Sequence, residues 1–400
     1  MIILEKALNY VKNTVDVLSS EQIFIYDAIN RVVLEDIFST IDMPRFNKSA
    51  MDGYAFKSKP VNTKGKTFKC IGIIGAGTDF NKDVKDNECV KIMTGAKIPI
   101  SFDTVVMKED VEVLDDIYIK ITKDIKKGSN VCKKAEDIKK GQKLLKKGTI
   151  IFSSHISLLA SVGRKKIKVI RNPKVAIINT GDEIIDIGKK LTKNKIYNSN
   201  GPQIMAMLEK EGINYSFFGI VNDNIENLKN IIKQSFEYNI VVFSGGVSKG
   251  DYDYVPNVLE NLGVKKIFHN VKIKPGKPLF FGKKKKTIFL GIPGNPVSNF
   301  LAYYMFIRSS ILKMKGYKNI FPIFLTGILK KTFNKNKNRR QFVLVRINRK
   351  DSLYELYPIK SNGSADIFSL SKADGFMVVP ENSPKIKQNS KVEFFTWKKI

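Results

Sequence analysis

From residue 174 to residue 314 the chain alternates strand-like and helix-like segments, and that alternation leaves few folds open. VAIINT at 175–180 is a short, nearly continuous apolar run, as a strand buried on both faces requires. Helical spacing follows at 201–211, then strand-like 215–221, helical 225–236, strand-like 240–244 and helical 255–262. Further strands are expected near Lys266 and at 287–290, and a long helix at 297–314 closes the series. Repeated strand–helix units predict an open, mainly parallel sheet with helices on both faces, a three-layer doubly wound α/β domain over 173–318.

The rest of the chain does not continue this rhythm. Four hundred residues exceed one compact core, and two to four domains are expected. Apolar positions 4, 7, 8 and 11, then 23, 25, 28 and 29, predict two helices in residues 3–30. Short β-rich runs at 67–74, 89–93, 104–107, 111–114 and 117–121 sit between Gly-, Pro- and Asp-containing turns. They predict a β-rich insertion over 43–135, flanked by a discontinuous α+β linker domain made of 1–42 and 136–172. Strand signals at 323–329, 341–347, 354–359, 375–379 and 391–397 predict a C-terminal β-barrel over 319–400. The fold class is therefore α/β multidomain.

Composition narrows the function classes. No window reaches 18 apolar residues, and the amino terminus has no basic–apolar–small layout, so a cytoplasmic chain without membrane attachment is expected. Three cysteines, Cys70, Cys89 and Cys132, make neither a disulfide framework nor a zinc spacing. The net charge of +31 suggests nucleic acid, but nine of the 69 basic residues are Arg and the Lys are spread along the chain. The surplus reads as a solvated surface that draws in small anions. His155 and His269 are the only histidines, too few for a Ser-His-Asp enzyme or a multi-His metal site. Any chemistry must use carboxylates, lysines, backbone amides and a hard cation.

In an open α/β sheet, ligands bind beyond the carboxyl ends of the strands. Three glycine-bearing segments fall there: TGDE at 180–183, SGGVSKGDYD at 244–253 and GIPGNPVS at 291–298. Gly245 and Gly246 permit close approach of an anion, with Ser244, Val247 and Ser248 adding amide and hydroxyl donors. KIKPGKP at 272–278 supplies Lys274 and Lys277 across a Pro-Gly turn, suited to converge on one anion. Asp182, Glu183, Asp251 and Asp253 share this edge. Acids beside a phosphate site call for Mg²⁺ or serve as a base.

MPRFNKSAMDGYAF (43–56), IMTGAKIP (92–99), NTGDEI (179–184), FSGGVSKGDYD (243–253), KPGKPLFFG (274–282) and GIPGNPVS together resemble the MoeA and gephyrin E-domain family of molybdopterin molybdenumtransferases. The motifs occur in the family's order across nearly the whole chain. The resemblance implies a molybdopterin-binding doubly wound domain and an elongated homodimer whose site is completed by the other subunit's β insertion. It also implies a molybdenum insertase that takes adenylylated molybdopterin and molybdate and releases AMP with Mg²⁺.

By motif, the resemblance assigns functional acids to Asp52, Asp137, Glu183, Asp223 and Asp253, with Glu183 and Asp253 as metal ligands, and molybdate-holding cations to Lys274 and Lys277. It places Thr180, Gly181, Ser244, Gly245, Gly246, Val247, Ser248, Pro293, Gly294, Asn295, Pro296, Ser298, Arg339 and Ser364 on the substrate, with Arg340 as the alternative arginine. Ala135 stands where the family usually has Gly, Asn270 where some members have Lys, and Lys133 and Lys134 where arginines are usual. Rival expectations are a molybdopterin adenylyltransferase-like enzyme, a gephyrin-like scaffold and a nucleic-acid-binding protein. SAMDGYA, the C-terminal β domain and the intact acids and lysines favour the insertase. Candidate partners are the adenylyltransferase of the preceding step and the molybdoenzymes that receive the product.

Overall fold

A computed structural model describes residues 1–59, 62–222, 224–247, 254–334 and 339–398. The chain forms two compact units, one of Met1–Glu21 with Val169–Ile400 and one of Gln22–Lys168.

The first unit opens with helix α1 (Leu4–Thr14), which buries Leu4, Ala7 and Val11 on one stripe. The doubly wound sheet then runs through β1 (Val175–Thr180), α2 (Asn200–Lys210), β2 (Tyr215–Val221), α3 (Ile225–Gln234), β3 (Ile240–Ser244), α4 (Val255–Asn261) and β4 (Lys265–His269). After β5 (Ile273–Lys274), β6 (Phe280–Lys284) and β7 (Thr287–Ile292) complete it. The strand order is β2-β1-β3-β7-β6-β4. The β2–β1, β1–β3 and β3–β7 pairings are parallel, and β7–β6 and β6–β4 are antiparallel. Lys285 and Lys286 make the turn between β6 and β7, where Lys285 has φ 52°.

Alternation along β1 shows why the sheet is covered on both sides. Val175 and Ile177 enter one core with α1 and α2, while Ala176 and Ile178 enter the other with α3 and α4. Helix α3 has its first turn capped by Asn224, whose side-chain oxygen accepts from the amides of Glu226 at 2.9 Å and Asn227 at 3.1 Å. The final helical run covers 296–314, one residue earlier than expected, with a π turn at Tyr303–Ile307.

The carboxyl-terminal strands are β8 (Leu325–Leu329), β9 (Arg340–Lys350), β10 (Leu353–Pro358), β11 (Gly375–Val379) and β12 (Lys391–Thr396). Their order β9-β10-β8-β12-β11 closes through a β9–β11 pairing into a five-stranded barrel, and β5 pairs with β9 outside the ring.

In the second unit a six-stranded sheet has the order Thr104–Met107, Gly53–Phe56, Glu88–Ile92, Thr67–Ile74, Tyr118–Ile121, Val111–Val113. Ala55, Val90, Ile92 and Val105 fill one face, and Tyr54, Phe56, Cys89 and Val106 fill the other. Residues before and after this sheet pair with each other, Ile37–Phe38 with Lys143–Leu145. The expected second helix near residues 20–30 is instead a strand, Ser20–Phe24, followed by a 3₁₀ turn at Ile25–Asp27.

Gly53, inside SAMDGYA, allows the Thr104–Met107 strand to lie against its neighbour: a Cβ there would fall 1.9 Å from the Val106 carbonyl oxygen. Backbone cannot yield as a side chain does. Gly53→Ala is expected to destabilise the protein by about 1–3 kcal/mol or more, read as a lowered urea midpoint; an unchanged midpoint would contradict this packing.

Candidate functional site

The carboxyl ends of β1, β3 and β7 are joined by a buried polar node. Ser244 Oγ accepts from Asn200 Nδ2 at 3.0 Å and from Asn299 Nδ2 at 2.8 Å. Asn200 Nδ2 also donates to the Gly294 carbonyl at 2.6 Å, and Asn299 Nδ2 to that of Pro293 at 3.3 Å. Beside them Asn179 Nδ2 donates to Asn198 Oδ1 at 2.6 Å. The amide side chains thus tie the loops that follow β3 and β7 to each other and to the start of α2, and Asn198 fixes the end of β1.

Gly245 and Gly246 lie directly over the end of β1, at φ 97° and 62°. A Cβ on Gly245 would stand 2.4 Å from the Thr180 carbonyl oxygen, and one on Gly246 would stand 2.6 Å from Thr180 Oγ1. Only glycine meets both the left-handed backbone and the contact. Gly294 completes the approach, its Cβ direction ending 3.7 Å from the Gly245 Cα. The Glu183 carboxylate folds back toward Gly181. Val247 is buried beneath, next to Gly291, and its carbonyl accepts a 2.9 Å hydrogen bond from His269 Nε2.

Next to this cradle is a cavity of about 560 Å³. Seven of the expected residues line it: Lys274, Lys277, Pro293, Asn295, Ser298, Arg339 and Ser364. The lysine loop is closed by a Val271 amide to Lys277 carbonyl hydrogen bond of 3.0 Å. Arg339 Nη1 donates to the Ile273 carbonyl at 3.2 Å, which ties the arginine to that loop. Arg340 pairs instead with Glu5 and does not line the cavity. Ser364 is fastened to the start of the last helix: the Val297 amide donates to its carbonyl at 3.0 Å, and Asn295 Nδ2 donates to its Oγ at 2.9 Å. Pro296 is the first residue of that helix. The Ser364 loop is organised by Asp366, whose carboxyl is held down to about 2 by amide hydrogen bonds from Ser369 and Asn362.

Asp52 and Asp137 belong to the second compact unit. Asp52 Oδ1 accepts from the Thr94 amide and hydroxyl, both at 2.8 Å, and these bonds keep its carboxyl below the usual range. Asp137 is exposed, and its amide donates to the Met43 carbonyl at 3.0 Å. Ala135, just before it, adopts φ 63°, a conformation that suits glycine better. Asn270 is buried at φ 71°, so its position is a backbone one. Asp223, Ser248, Asp251 and Asp253 lie outside the described residues. Among the described residues no three His, Cys, Asp or Glu groups gather as a metal site.

Sequence reasoning passed over Asn198, Asn200, Asn299 and His269. The one available signal was NSNG at 198–201, a run of cap-forming residues opening a helix at the ligand edge.

Three family models tile the chain: the MoeA N-terminal region (domains I and II) over residues 2–163, a probable molybdopterin binding domain over 176–313, and the MoeA C-terminal region (domain IV) over 326–397. The molybdopterin molybdenumtransferase of Staphylococcus aureus (strain MRSA252) is 32% identical over 396 residues, covering 97% of this chain and 94% of its own. The chain belongs to the MoeA family of molybdopterin molybdenumtransferases. A Staphylococcus epidermidis protein of the same name is 30% identical, covering 92% of this chain and 88% of its own. A crystal structure of the MoeA protein from Pyrococcus horikosii superposes with a TM-score of 0.83 at 32% identity, covering all of both chains. A second Pyrococcus horikoshii MoeA structure gives 0.80 at 26% identity, over 99% of this chain and 100% of that one. In this MoeA chain no helix among the described residues is long and apolar enough to cross a membrane.

Thr180 Oγ1 is buried and has no hydrogen-bond partner among the described residues. An unsatisfied buried hydroxyl costs about 1–3 kcal/mol, which Thr180→Val removes at nearly constant shape. The variant is expected to unfold at a higher urea concentration than the wild type; a clear loss of stability would mean that the hydroxyl has a partner.

Proposed function

We propose that the chain is a molybdenum insertase: it takes adenylylated molybdopterin and molybdate and releases the molybdenum-loaded pterin and AMP. The cavity that gathers Lys274, Lys277, Arg339, Ser298 and Ser364 is the observation that carries this reading. Cations and hydroxyls grouped this way suit a tetraoxo dianion, since each oxygen accepts hydrogen bonds and the charge is neutralised. The adjoining cradle of Gly245, Gly246 and Thr180 suits phosphate, because backbone meets it without side-chain obstruction.

In the insertion, two Mo–S bonds form at the dithiolene, and one oxygen of molybdate leaves as water with the two thiol protons. Water cleaves the phosphoanhydride, forming one P–O bond as another breaks and freeing AMP. Lys274 and Lys277 hold the oxyanion, and Arg339 and Ser364 orient it from the barrel side. Glu183 and Asp253 would offer the hard oxygen donors that Mg²⁺ takes, and that ion, when bound, would neutralise phosphate charge. Asp52 and Asp137 serve the site of a second copy in a homodimer. Hydrogen bonding from Thr94 keeps Asp52 ionised for that role.

Purified protein given adenylylated molybdopterin, Mg²⁺ and molybdate is expected to release AMP in a molybdate-dependent manner. AMP no greater than background would overturn the insertase reading. Mixing Asp52→Ala with Lys274→Ala chains, each inactive alone, should restore partial activity through hybrid dimers holding one intact site. Failure of every mixture, with dimers verified by sedimentation, would refute a shared site.

A further inference from the structure

Two cysteines face each other in the β sheet of the second unit. Cys70 lies in Thr67–Ile74 and Cys89 in Glu88–Ile92, neighbouring parallel strands whose register makes the two residues direct Cα partners. Both side chains point to the same face, among Tyr54, Phe56, Phe68 and Val106. Adjacent strands are spaced about 4.8 Å apart, within the roughly 4.4–6.8 Å that Cα atoms joined by a disulfide span. The register shifts immediately after Cys70, between it and Ile73, and such an irregularity gives this strand local room to twist.

The two thiols differ in a useful way. Cys89 is fully buried, whereas Cys70 is half-buried and reachable from solvent. Cys70 Sγ donates to the Gly72 carbonyl at 3.5 Å, and the neighbouring Cys89 thiol is the main reason the Cys70 thiol is held down to about 6. The same interaction, with burial, pushes the Cys89 thiol up. Cys70 is therefore the nucleophile, since the thiolate is the reactive form, and Cys89 is the resolving partner in contact with it. The third cysteine, Cys132, sits in a separate strand pair, and burial and Glu136 push its thiol up.

We propose that Cys70 and Cys89 form a dithiol modification site that a low-molecular-weight disulfide oxidises to an intramolecular bridge. The Cys70 thiolate attacks one sulfur of the reagent, forming a mixed disulfide and expelling a thiolate. Cys89 then gives up its proton to that thiolate, and its sulfur attacks Cys70, breaking the mixed disulfide and forming the Cys70–Cys89 bond. The protein dithiol loses two electrons and two protons, and the reagent leaves as two thiols.

The test uses the full-length folded protein with oxidised glutathione at neutral pH, followed by intact mass and peptide mapping. The expected product has lost two hydrogens, carries the single bridge Cys70–Cys89 and is restored by dithiothreitol. Cys89→Ser should stop at a glutathione adduct on Cys70, Cys70→Ser should give no bridge, and Cys132→Ser should behave as the wild type. On the unaltered chain, iodoacetamide should label Cys70 about tenfold faster than Cys132, with a rate that rises through about pH 6. That measurement needs no variant to fold. A bridge that forms only in denaturant, or equal labelling of Cys70 and Cys132, would overturn the proposal. Neither readout depends on AMP release, so failure here leaves the insertase reading untouched.

Discussion

The hydroxyl of Ser244 accepts from two buried asparagines, and the candidate site depends on that node. Parallel strands end with their loops unconnected to one another, because each crossover helix carries the chain away from the sheet edge. Asn200 and Asn299 supply the missing connection, linking Ser244 to the carbonyls of Gly294 and Pro293. Buried amides of this kind are costly unless bonded, so the node favours one arrangement of these two loops over splayed alternatives. Gly245 then comes close to both Thr180 and Gly294, and the cradle follows from that closeness.

Charge is partitioned across the same region. The cradle brings Gly245, Gly246 and Gly294 against Thr180, whereas the cavity beside it collects Lys274, Lys277 and Arg339. The barrel reaches the cavity through two anchors. The pairing of β5 with β9 places Ile273 opposite Arg340 and Lys274 opposite Gln341, and the Ser364 loop grips the start of the last helix. The cavity therefore borrows its rigidity from two cores, the sheet and the barrel.

Much of this was legible in the chain itself. Strands 215–221, 240–244, 67–74 and 104–107 end where period and turn residues place them, because short apolar runs bounded by Gly, Pro or Asp admit little sliding. Residues 20–30 misled because four apolar positions fit a helical spacing as well as a strand's, and tertiary pairing decided between them. Lys274, Lys277, Pro293, Asn295 and Ser298 were legible because loops at the ends of one sheet converge, whereas Arg339 and Ser364 came from the motif resemblance alone. The asparagine node was not: Asn299 lies inside a helix, where only the folded chain shows that its amide turns toward Ser244. His269 was set aside as an isolated imidazole, yet it fixes the Val247 carbonyl.

The π turn at Tyr303–Ile307 lets one helical cylinder serve two partners that lie out of phase. Phe300, before it, and Tyr304, within it, pack on Trp397 and on the barrel aromatics Phe376 and Phe395. After it, Arg308 reaches Glu211 and residues 308–314 pack on α1. One surplus residue in the coil turns everything downstream by about 100° around the axis. Excising it would swing either the aromatic seam or the α1 seam away from its mate, so the length of this rod is as constrained as its composition.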